Sequence, residues 1–137
     1  MPKVIYKKNK IISPSKLFDL YESAKWTEGK NKVVHGKKIS DAYKNSQLVF
    51  SAWEGNELIG VVRVLTDKAN GIIFGLTINP KYQNQGIGTK LIKKCLDTYP
   101  KTRFFISSEN PQSEKLYKKI GFKKDKNNWF SIRKWVI

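Results

Sequence analysis

The chain has 137 residues, 39% hydrophobic and 12% aromatic, which is enough apolar material for one sheet-centred core but not for two. No apolar run approaches the roughly 18 residues that span a bilayer, and the basic start Met1-Pro2-Lys3-Val4-Ile5-Tyr6-Lys7-Lys8 lacks the apolar stretch of a signal peptide, so one soluble, cytoplasmic domain covering 1–137, with no membrane partner, is expected. The net charge of +16 attracts polyanions in general, but the excess is lysine scattered along the whole chain, with Arg63, Arg103 and Arg133 as the arginines; clustered arginine of the nucleic-acid-reading kind is missing.

Lys3 to Tyr6 reads as a first strand, and Ser13-Pro14 supplies an N-cap with proline at the first helical position. Leu17, Leu20, Tyr21 and Ala24 then recur at helical spacing, before a loop expected to hold Gly29, His35 and Gly36. Ser40 is expected to cap a second, shorter helix ending near Asn45. Gln47 to Trp53 and Glu57 to Leu65 are β-prone runs joined by the hairpin residues Glu54-Gly55-Asn56. After the Asp67–Gly71 turn, Gly71 to Ile78 is mostly apolar and predicts a central strand buried on both faces.

Gly86 to Leu96 carries Ile87, Leu91, Ile92 and Cys95 on one side and lysines on the other, an amphipathic helix in which Cys95 reads as a small apolar filler. Arg103 to Ser107 is another strand, and Asn110 to Ile120 another amphipathic helix, closed by Gly121 in a left-handed cap. Phe122–Lys124 and Trp129–Val136 form a terminal pair around a polar turn. This order predicts an α+β fold with a mixed central sheet of about seven strands flanked by about four helices. One histidine and one cysteine cannot build a metal site, so no metal is expected.

The chemistry concentrates at Gln83-Asn84-Gln85-Gly86-Ile87-Gly88, where a buried strand hands over to a helix. A helix start leaves backbone N–H groups unpaired, its dipole favours anions, and glycines let a diphosphate approach the main chain; Lys90 is expected to add charge. A Rossmann loop would place a third glycine at Leu91, and a Walker loop would not read Gly88-Thr89-Lys90, so neither fits. A strand-to-helix turn with glycines for geometry alone is the competing reading.

Gln83, Gly86 and Gly88 at such a junction resemble the coenzyme A pyrophosphate loop of the GNAT superfamily of N-acetyltransferases, and the flank Leu76-Thr77-Ile78-Asn79-Pro80-Lys81-Tyr82 is similar to the strand and turn that precede it there. Asn110, Tyr117 and Gly121-Phe122 resemble the family's second motif, with Ser113 where a small apolar residue is usual. The resemblance covers roughly the second half of the chain. It implies that the backbone of Leu76, Thr77 and Ile78 pairs with the pantetheine arm of acetyl-coenzyme A, with an N–H at or near Leu76 facing the thioester carbonyl. It implies further that Gln83 to Thr89 (Gln83, Asn84, Gln85, Gly86, Ile87, Gly88 and Thr89) cradle the diphosphate, that Asn110 bonds pantetheine, and that Tyr117 protonates the departing thiolate. A core aromatic is the alternative for Tyr117.

No residue announces itself as the base: Asp67, Glu109 and Glu54 are candidates by position, each also readable as a solvated turn residue, and His35 reads as an exposed loop residue. The acceptor pocket implied by the resemblance lies over 17–45, where Tyr21, Trp26 and Tyr43 form an aromatic wall or anchor the helices. The expected function is acetyl transfer from acetyl-coenzyme A to a primary amine, of a small molecule first, by direct attack in a ternary complex. A protein or peptide acceptor and a non-catalytic basic nucleic-acid-binding domain are the alternatives. A homodimer is compatible with this size.

Overall fold

A computed structural model describes residues 3–108 and 110–135. The elements run β1 (Ile5–Lys8), α1 (Pro14–Ser23), α2 (Lys32–Lys44), β2 (Leu48–Glu54), β3 (Glu57–Thr66), β4 (Asn70–Ile78), α3 (Ile87–Thr98), β5 (Arg103–Ser107), α4 (Pro111–Ile120), β6 (Lys123–Lys124) and β7 (Trp129–Ile132). They build one seven-stranded sheet in the order β1-β2-β3-β4-β5-β7-β6. Every neighbouring pair is antiparallel except β4 and β5, which α3 connects as a crossover.

The two faces of the sheet carry separate cores. Leu48, Phe50, Ile59, Val62 and Val64 pack with Ile87, Leu91, Ile92 and Cys95 of α3 and Tyr117 of α4. Val49, Leu58 and Val61 face the other way, onto Leu17 and Leu20 of α1 and Ile39 and Tyr43 of α2. Strand alternation sends successive side chains to opposite faces, so one run of apolar residues in β2 and β3 serves both layers.

Helix ends follow the local chemistry. Ser13 Oγ accepts from Lys16 N at 3.4 Å with Pro14 in the first turn, and Asn110 Oδ1 accepts from Ser113 N at 2.9 Å ahead of α4. Gly121, at φ +125°, ends α4 as expected. At the far end of α3, Arg133 donates to the carbonyls of Leu96, Tyr99 and Thr102. Cations belong at a helix C-terminus, and this one also ends β7 at Ile132, because Arg133 itself adopts φ +76°.

Four expectations need correction. The first strand is Ile5–Lys8, shifted from 3–6, since it registers on Phe50–Trp53 of β2. The second helix starts at Lys32, capped by Asn31 Oδ1 accepting from Val34 N at 3.0 Å. Ser40 lies inside it and bonds Ile12 O, and Gly36 lies inside it too, where a Cβ would stand 2.9 Å from Pro14 O, so glycine lets α1 and α2 approach closely. His35 is therefore a half-buried helix residue with its ring edge-on to Phe18 at 6.4 Å. Finally, β4 is not sealed on both faces: Phe74, Gly75, Leu76 and Ile78 keep intermediate exposure because the sheet opens beside them. The last strand was expected to reach Val136, which falls outside the described residues.

Candidate functional site

The parallel pairing of β4 with β5 covers only Asn70–Ile72 against Arg103–Phe105. Beyond Ile72, β4 turns toward β3 and away from β5. The register with β3 slips between Val61 and Arg63, where Gly75 takes φ +65° as the extra residue of a bulge. Leu76, Thr77 and Ile78 thus border a gap in the sheet.

A cavity of about 590 Å³ fills that gap and continues to the start of α3. Its lining includes Leu76, Thr77 and Ile78 on the strand side and Asn110, Ser113 and Tyr117 from α4 and its cap. Gln83, Asn84, Gly86, Ile87, Gly88 and Thr89 close the third side. Of the site residues expected from sequence, Gln85 is the exception, exposed and away from the cavity.

The α3 start has the properties an anion requires. Among the described residues, α1, α2 and α4 each receive a side-chain cap, from Ser13, Asn31 and Asn110, whereas α3 receives none. The first-turn N–H groups, which have no acceptor within the helix, therefore face the cavity mouth. Gly86 holds φ +80°, and nothing lies within 4 Å of where its Cβ would sit, so the space over these N–H groups is open. Lys90, expected to add charge, instead lies over the Tyr6 ring at 5.2 Å, and the cations at the cavity are Lys25 and Lys119.

Tyr117 is 4% exposed, with ring centroids 5.9 Å from Phe130 and 6.1 Å from Phe122, so it is packed in the core as the bland reading holds. It also borders both this cavity and a second one, where a proton donor would need to stand. Asn110, which lines this cavity, has its Oδ1 engaged by Ser113 N.

The second cavity, of about 300 Å³, shares Trp26, Leu76, Thr77 and Tyr117 with the first. Tyr21 and Trp26 are wall residues of it, while Tyr43 is wholly buried behind, its hydroxyl 2.8 Å from that of Tyr21. His35, taken from sequence as an exposed loop residue, borders it as well.

The candidate bases fare unequally. Asp67 sits in the β3–β4 turn, where its Oδ1 accepts from Ala69 N and Asn70 N at 2.9 Å, bonds that pull its carboxyl below the usual range. That turn is at the opposite end of β4 from Ile78, roughly 25 Å along a strand of this length, so Asp67 cannot serve the site. Glu54 lies near the Tyr82 hydroxyl, which donates to Glu57, and its Oε2 is buried without a hydrogen-bond partner among the described residues. Glu109 lies outside the described residues.

Missed in the sequence were Gly75, whose role depends on partners far along the chain, and Tyr82, whose hydroxyl donates to Glu57 Oε1. The signal for Tyr82 was available, since it stands directly before Gln83.

A mixed sheet split between β4 and β5, with a crossover helix that begins uncapped at the split and a cavity in the gap, defines the class of α+β domain seen here. The model of the acetyltransferase (GNAT) domain matches residues 17–131, and the chain belongs to that family. Histone acetyltransferase TAP1 of Glycine max is 33% identical over 102 residues, which is 64% of this chain and 44% of that protein. The chain thus spans less than half the length of that relative. A GNAT family acetyltransferase of Streptococcus pneumoniae superposes with TM-score 0.75 at 23% identity, covering 88% of each chain. A GNAT family acetyltransferase of Brucella melitensis, solved with acetyl-coenzyme A, superposes with TM-score 0.71 at 17% identity over 96% of this chain and 88% of that one. Among the described residues no helix is long and apolar enough to cross a membrane, and no group of three or more His, Cys, Asp or Glu could hold a metal.

Proposed function

We propose that the chain, as one catalytic domain over 1–137, transfers acetyl from acetyl-coenzyme A to a primary amine of a small molecule by direct attack in a ternary complex. The observation that carries this reading is the uncapped α3 start, with Gly86 leaving clear space above it, opening into the gap where β4 leaves β5. The Brucella melitensis neighbour was solved with acetyl-coenzyme A, which supports the same choice of cosubstrate. Acetyl-coenzyme A is a cytosolic metabolite, so the reading includes a cytoplasmic location.

When bound, acetyl-coenzyme A supplies an acetyl thioester. Gly86, Ile87, Gly88 and Thr89 offer main-chain N–H groups to its diphosphate, with Lys25 and Lys119 adding positive charge at the rim. Leu76, Thr77 and Ile78, free of β5, offer backbone donors and acceptors to an extended arm as an added strand would use them. A backbone N–H at or near Leu76 stabilises charge developing on the acyl oxygen, the Asn110 side-chain N–H₂ holds the arm, and the Tyr117 hydroxyl gives its proton to the leaving sulfur.

A peptide acceptor is the second reading, favoured by the name of the Glycine max relative. Coenzyme A release measured against small amines, peptides and antibiotics tests the proposal. Release with a small amine and none with peptides is expected; release with peptides alone would transfer the reading to a protein acceptor, and none with any amine would refute it.

A further inference from the structure

The second cavity holds a polar device that the reaction outlined above does not use. The Tyr43 hydroxyl donates to the Gly75 carbonyl at 3.3 Å, and Thr77 Oγ1 donates to the same carbonyl at 2.9 Å. Tyr43 has one proton, and it is spent there. The 2.8 Å contact between the two tyrosine hydroxyls is then carried by the Tyr21 proton, pointing inward to Tyr43. Thr77 also faces the Tyr21 oxygen, which leaves one Tyr21 lone pair as an acceptor for the cavity that Tyr21 lines. Burial raises the pKa of both phenols against the opposing charge of Arg63, so both stay protonated.

The surroundings set what can be held there. Apolar and aromatic walls come from Trp26, Ile73, Phe74 and Ile106, and no described lining residue is Asp or Glu. Arg63 lies behind, its guanidinium 5.8 Å from the Tyr43 ring and 5.1 Å from the Phe74 ring. His35 also lines the cavity. A second cation has no counter-charge in such a cavity.

We infer that Tyr21 Oη orients the acceptor by taking one N–H of a neutral primary amine, and that the acceptor is an amine on an apolar or aromatic body with no second positive charge. The nitrogen lone pair is thereby turned toward Leu76 and Thr77, the residues both cavities share. The reaction balances without Tyr21 changing charge: the N–C bond forms and the C–S bond breaks, Tyr117 gives its proton to the sulfur, and the proton lost by the nitrogen passes through solvent to restore Tyr117. The inference rests on the acetyltransferase reading and adds the substrate class and an orienting residue to it.

The test measures coenzyme A release by the full chain with 2-phenylethylamine and with spermidine, for the wild type, Tyr21→Phe and Tyr43→Phe, alongside the thermal shift produced by acetyl-coenzyme A. Expected is kcat/KM for 2-phenylethylamine at least about 10-fold above that for spermidine, and an about 10-fold fall in Tyr21→Phe shared between kcat and KM, with the acetyl-coenzyme A shift unchanged. Tyr43→Phe keeps the Tyr21 hydroxyl but frees its proton, so a smaller fall is expected. Equal kcat/KM in Tyr21→Phe, a preference for spermidine, or a loss that tracks a lowered melting temperature and a lost shift would each overturn the inference. A wild-type thermal shift without release from 2-phenylethylamine sinks this inference alone, whereas no shift and no release with any amine sinks the enzyme reading beneath it.

Discussion

The Tyr82 hydroxyl donates to Glu57 Oε1 at 3.2 Å, tying the segment that leads into α3 to the first residue of β3. The Glu54 carboxylate, burial and the Glu57 carboxylate all raise the Tyr82 pKa above the ordinary phenol value. Since the folded value is the higher one, this tether contributes fully below the ordinary phenol pKa and is lost as pH rises through the folded value. Coenzyme A affinity should thus stay flat across neutral and mildly alkaline pH. Tyr82→Phe should weaken it by about 2- to 10-fold by calorimetry, the range expected for one lost hydrogen bond.

Gly86 separates strain from charge. Any L-residue at φ +80° is strained by roughly 1–2 kcal/mol, but a Cβ there meets no protein atom. Gly86→Ala should therefore fold and bind coenzyme A weakly, while Gly86→Glu, which puts a carboxylate above the α3 N–H groups, should bind none. Equal affinities of the two variants, measured side by side, would show that no anion sits there.

Tyr117→Phe should lower kcat by about 100-fold or more, as for loss of a general acid, with coenzyme A affinity changed less than twofold. Because Tyr117 is also a packed residue, the variant's melting temperature must be compared with that of the wild type. A wild-type kcat at every pH would remove it as the proton donor.

Asp67→Asn should leave coenzyme A release unchanged. Its carboxylate contribution, the mark of a depressed pKa, is present above the unfolded value and fades as pH falls through the folded one, so the variant should differ from the wild type only in acid unfolding.

Cys95 is wholly buried in α3, and burial pushes its thiol up to about 12. At pH 8 the native protein should not react with a thiol reagent over minutes, and one equivalent should react on denaturation. Prompt reaction of the native chain would contradict the packing of α3 on the sheet.

What was legible in the sequence is what local chemistry decides. Ser13-Pro14 and Gly121 marked helix ends because a cap is made within a few residues, and Arg103–Ser107 was bounded correctly by its own apolar run. The second helix was misread because Gly36 looks like a breaker, whereas glycine is required there by the close approach of Pro14, a tertiary contact. The Gly75 bulge was hidden for the same reason. Its partners Tyr21 and Tyr43 are separated from it by 54 and 32 residues, and no pattern within β4 announces them. The part of the candidate site at the start of α3 was readable since Gln83, Gly86 and Gly88 lie in one turn, whereas the second cavity is assembled from α1, α2, β4 and β5.

The central claim is that main-chain N–H groups at the start of α3 hold the diphosphate of coenzyme A. Titrating the ¹⁵N-labelled protein with coenzyme A tests it most directly. The account predicts saturable shifts that are largest at Gly86, Ile87, Gly88 and Thr89, with a second group at Leu76, Thr77 and Ile78. Saturable binding whose shifts fall elsewhere, or an unchanged spectrum at millimolar coenzyme A, would contradict it.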